Sequence, residues 1–64
     1  MSSLIRLRAV MERTALSRSS IYAMAALGKF PQPIKIGVRA SAWLQSEIDD
    51  FIQARVRESR GGQS

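Results

Sequence analysis

The stretch Ala15-Leu16-Ser17-Arg18-Ser19-Ser20-Ile21-Tyr22 decides how this chain is read. Ser17 is placed as a helix N-cap, because its hydroxyl can accept from the otherwise unpaired amides of a first turn. That turn carries Arg18, Ser19, Ser20 and Tyr22, while the apolar residues fall back to Ile21, Met24 and Ala25 at the spacing of one buried face. The start of this helix is therefore polar and open to contact. Bare amides at the positive end of a helix dipole also suit a phosphate group.

Upstream, Leu7, Val10 and Met11 recur at i, i+3 and i+4, which predicts a first short helix around residues 7–13 after a lead-in from Met1 to Ile5. Thr14-Ala15-Leu16 forms the turn, with Leu16 plugged beneath it. The second helix runs from Arg18 to about Leu27 and stops at Gly28, the residue type best suited to a left-handed helix end. Two short helices joined in this way make a helix-turn-helix.

Downstream, Pro31 and Pro33 forbid helix and favour an extended path. Ile34-Lys35-Ile36 alternates apolar and basic as a half-exposed strand does, Gly37-Val38-Arg39-Ala40 is the hairpin tip, and Ser41-Ala42-Trp43-Leu44 is the return strand. Trp43, the single tryptophan, is the large apolar anchor that a small core needs. A last helix begins at Ser46, whose spacing to Asp49 resembles a capping box, and Glu47, Asp49 and Asp50 complement its dipole. Ile48, Phe51, Ile52 and Val56 give that helix one apolar face. The ordered part of this single domain is expected over about residues 4–58, with 59–64 a flexible tail.

Sixty-four residues make one small domain. A chain of this size buries only about 60% of the surface exposed by its unfolded form, so its core must be compact. With neither cysteine nor histidine, it has no disulfide framework and no ordinary zinc site to supplement that core. The longest apolar run, Ile21 to Leu27, is far too short to cross a bilayer, and no signal-peptide pattern is present, so a cytosolic location is expected. No nucleophile–base pair and no glycine-rich phosphate loop can be nominated, so neither an enzyme nor a cofactor site is expected.

The net charge is +5, and its placement matters more than its total. Residues 1–45 carry Arg6, Arg8, Arg13, Arg18, Lys29, Lys35 and Arg39 against Glu12 alone, a balance of +6, whereas residues 46–64 come to −1. The basic part coincides with the first two helices and the hairpin. A basic excess of this kind is either a solvated face or the footprint of a nucleic-acid-binding surface, and its uneven placement favours the second.

Three tracts, in this order and spacing, carry a family likeness: Leu16 to Tyr22, Gly28 to Gly37, and Arg39 with Trp43 and Ser46-Glu47-Ile48. The chain resembles the AlpA-type prophage regulators, small winged-helix proteins related to excisionases and to the DNA-binding part of the MerR group. The resemblance implies a mainly α fold with a small β-hairpin, a winged helix-turn-helix of three helices and a two-stranded wing. It also implies double-stranded DNA as the partner, with the helix at Arg18 in the major groove and the hairpin at Gly37 to Ser41 against backbone or minor groove. Carried over by position, Arg18, Ser19 and Tyr22 are the helix contacts and Lys35 and Arg39 the wing contacts; the candidate set adds Ser17 and Ser20 at the helix start and Ser41 on the wing. Arg18, Ser19 and Tyr22 would read bases, since Arg can pair with guanine O6 and N7 and a short Ser lets the helix approach closely.

The same likeness leaves two roles open: a transcription regulator at a promoter, or an excisionase that bends attachment-site DNA beside an integrase. The sequence departs from the family at Ala23, Ala26 and Leu27, where charged or polar residues are usual. Leu27 either packs under Phe30 or joins Ser20 and Ala23 in a patch for self-association on DNA.

Overall fold

A computed structural model describes residues 3–61. The element order is β1 (Leu4–Ile5), α1 (Leu7–Thr14), α2 (Arg18–Ala26), β2 (Ile34–Gly37), β3 (Ala40–Leu44) and α3 (Gln45–Gly61). This is the expected mainly α architecture, three helices with a small antiparallel hairpin, consistent with a winged helix.

Both ends of α2 and the end of α1 have a local cause. The Ser17 hydroxyl accepts from the Ser20 amide at 3.1 Å and caps α2 as its position predicts. At the other end, Gly28 takes the left-handed conformation at φ 73°, and the amides of Gly28 and Lys29 return to the Ala25 and Met24 carbonyls at 3.0 and 2.8 Å. Gln32 closes this helix further, donating from its side chain to the Ala25 carbonyl at 2.7 Å. The end of α1 uses the same backbone state without the same residue. Ala15 lies at φ 60°, its amide on the Met11 carbonyl at 2.8 Å. The Thr14 hydroxyl donates to the Val10 carbonyl at 2.8 Å and accepts from the Leu16 amide at 3.3 Å, which ties the turn to α1.

The hairpin pairs Ile34 with Ala42, Lys35 with Ser41 and Gly37 with Ala40, with a bulge between Lys35 and Gly37. The lead-in residues depart from expectation. Leu4 and Ile5 pair with Leu44 and Trp43, so the two-stranded hairpin becomes part of a three-stranded antiparallel sheet in the order β1-β3-β2. The final helix also departs from the sequence reading at both ends. It starts at Gln45, directly from β3 and one residue ahead of the expected Ser46 cap, and it continues through Gly61. The remainder of the expected tail, 62–64, lies outside the described residues.

Val10, Ile21, Ala25, Phe30, Trp43 and Ile48 form the core, so all three helices, the connecting segment and β3 contribute. Ile5, Leu7, Met11, Leu16, Met24, Phe51 and Ile52 pack around it. Trp43 is fully buried, as a core anchor should be, and its indole Nε1 donates to the Pro31 carbonyl at 2.9 Å. Phe30 meets Phe51 edge to face with ring centroids 4.7 Å apart. Leu27 does not pack under Phe30: it is 69% exposed while Phe30 is buried. The left-handed stop at Gly28 turns the chain immediately after Leu27, and Phe30 fills the core position instead.

Candidate nucleic-acid interface

Arg18 is the first helical residue of α2, immediately after its Ser17 cap. Its guanidinium carbon lies 5.9 Å from the centroid of the Tyr22 ring, one turn on, within reach of a cation–π contact. Tyr22 in turn tilts against buried Trp43 with centroids 6.1 Å apart. A rigid core ring thus supports Tyr22, and Tyr22 supports Arg18.

From the other side come the wing residues. Val38 and Arg39 form the hairpin tip between the Gly37–Ala40 pair, and Val38 is 96% exposed. Arg39 and Ser41 join Arg18 and Tyr22 in lining a cleft of about 320 Å³, whose remaining walls are Arg6, Leu7 and Arg8 from the start of α1. The cleft therefore draws on α1, α2 and the wing. Four arginines line it and no acidic residue does.

Of the expected contact residues, the structure brings Arg18, Tyr22, Arg39 and Ser41 together and leaves the others outside this cleft. Lys35 lies opposite Ser41 on exposed β2. Ser19 is exposed on α2. Ser17 and Ser20 are occupied with the cap, because the Ser17 hydroxyl also donates to the Ser20 hydroxyl at 3.0 Å. Arg6 and Arg8 belong to the cleft beyond the expected contact set, and the signal for them in the sequence is their place at the N-cap and in the first turn of a helix that has no acid there.

Two short helices joined by a three-residue turn, with a hairpin beside the second helix and a cationic cleft between them, define a winged helix-turn-helix protein. The chain belongs to the AlpA family of prophage regulators: the family model described as prophage CP4-57 regulatory protein (AlpA) matches residues 3–56. It is 34% identical over 58 residues to the uncharacterised protein ORF88 of Enterobacteria phage P4, covering 91% of this chain and 66% of that protein. The chain thus spans just under two thirds of the length of that relative. It is also 28% identical over 60 residues to the DNA-binding transcriptional activator AlpA of Escherichia coli strain K12, covering 84% of this chain and 86% of that protein. This is a family of regulators rather than of enzymes. No helix among the described residues is long and apolar enough to cross a membrane.

Proposed function

We propose that this chain binds double-stranded DNA and regulates transcription of a prophage or integrative element. The start of α2 reads the major groove while the wing holds the backbone. The observation that carries this reading is the cleft, in which Arg6, Arg8, Arg18 and Arg39 converge without a carboxylate between them. Such a surface favours a polyanion, and its place between a capped helix start and a hairpin tip matches a duplex presenting one groove and its flanking phosphates. Arg18 is assigned to guanine, Ser19 and Tyr22 to neighbouring base edges or phosphate, and Lys35, Arg39 and Ser41 to the wing contact. Ser17 and Ser20 serve through the amides that they organise. The Escherichia coli relative, named a DNA-binding transcriptional activator, supports the same reading.

The second reading is an excisionase, which needs neighbouring copies to meet along DNA. Exposed Leu27, with Ala23 and Ala26 exposed beside it on α2, favours such a lateral contact. Footprinting on the DNA adjoining the gene separates the two: one short protected site means promoter control, and an extended array with phased hypersensitivity means the architectural role. In either case about 4 to 6 phosphate contacts per protomer should make log K fall against log salt with a slope of about −4 to −5. An affinity that barely responds to salt would remove the electrostatic basis of the proposal.

A further inference from the structure

We infer that Arg6 and Arg8, at the start of α1, clamp a backbone phosphate of the duplex, so that three separate segments of the chain grip the DNA rather than the helix and wing alone. The inference rests on the DNA-binding reading and deepens it. Its first support is convergence: Arg6 and Arg8 share the cleft with Arg18 of α2 and Arg39 of the wing.

The second support is what these side chains lack. Arg13 is held by Asp49 at 2.9 Å and Arg55 lies 3.8 Å from Glu58, yet no ion pair among the described residues reaches Arg6, Arg8, Arg18 or Arg39. The third is position. Arg6 is the N-cap residue of α1, makes no side-chain cap hydrogen bond, and is followed by Arg8 in a first turn without an acid. A helix start is the positive end of its dipole, so cations there oppose stability rather than serve it. Like charges gathered in one cleft repel in the same sense. A phosphodiester seated among them relieves both penalties. Its oxygens accept from guanidinium N–H groups, which are donors only, in forked charge-assisted bonds.

The test compares wild type with Arg6→Ala and Arg8→Ala on the specific duplex and on a scrambled duplex across a salt series, with thermal melting as the folding control. Because both arginines share one phosphate, replacing both by Ala should flatten the salt slope by about 0.9 and lower affinity for both duplexes alike, roughly eightfold at 0.1 M salt, the share of one released counterion, and each single variant should show part of that loss. Arg6→Lys and Arg8→Lys keep the charge and should keep the slope. Arg57→Ala, exposed on α3 and outside the cleft, should behave as wild type. Wild-type slopes in both alanine variants overturn the inference, as does a loss confined to the specific duplex or a slope lost equally in the lysine variants. Intact wild-type binding with unchanged variants removes only this inference. A wild-type protein with no affinity for duplex removes the proposed function itself.

Discussion

The start of α3 carries the charges that a helix start favours, and the starts of α1 and α2 carry the charges that it disfavours. Glu47 stands in the first turn of α3, and Asp49 accepts from Arg13 across to α1 at 2.9 Å. The first turns of α1 and α2 hold no acid; Arg8 and Arg18 stand there instead, and both line the cleft. A first-turn acid contributes about 0.3–1 kcal/mol to a helix, and an arginine in its place opposes the dipole by a similar amount. The difference separates a helix start whose charges favour the helix from two whose cations oppose it and face the proposed contact surface.

The largest expected effect falls on the α3 side. Ile48 is the fully buried residue of α3 and a member of the core, so Ile48→Ala should destabilise the domain by about 2–5 kcal/mol. Chemical denaturation checks this, and a loss below about 1 kcal/mol would mean that α3 is not needed to close the core.

An intermediate effect is expected at Arg18. Arg18→Ala should remove about 1–3 kcal/mol of discrimination between specific and scrambled duplexes while leaving thermal melting close to wild type. Its comparison is Arg39→Ala, which should weaken both duplexes by similar factors because a wing on phosphate carries little sequence information. If Arg18→Ala also weakens both equally, Arg18 is a phosphate clamp and reading rests on Ser19, Tyr22 or DNA shape.

The smallest effect sharpens the contrast most. Arg8→Glu supplies α1 with the first-turn acid that α3 has, so at low salt it should raise stability by about 0.3–1 kcal/mol while weakening DNA binding. Stability and affinity moving in the same direction would erase the distinction between the two kinds of helix start.

Much of this was legible in the chain because the residues concerned announce their own backbone. Ser17 before a polar turn marks a cap, Gly28 marks a left-handed stop, and a single Trp in so short a chain marks a core; each holds in the structure. Ala15 adopts the same left-handed state as Gly28, but alanine carries no such mark, so the geometry of the turn was not readable. The Gln32 side chain on the Ala25 carbonyl was equally hidden, since Gln has no positional preference that betrays it. Strand β1 escaped notice because two residues cannot display a period. The cleft was half legible. The sequence places Arg18 and Arg39 on a helix start and a hairpin tip, but which other cations share their space is set by how α1 packs, and periodicity carries no information about that.

Strand β1 also bears on how the α1 wall of the cleft is held. Leu4 and Ile5 find their partners only at Leu44 and Trp43, and the Ser3 carbonyl takes the Gln45 amide at 2.7 Å. The segment leading into α1 is therefore tied to residues 43–45, far along the chain, whereas the turn between α1 and α2 closes locally. Closing so long a loop costs more chain entropy than closing that turn. Only two residue pairs hold this edge, but Ile5 also packs against the core, so opening it would disturb the packing around Trp43. If Arg6 makes the proposed phosphate contact, linkage requires that a bound duplex favour the paired state of β1.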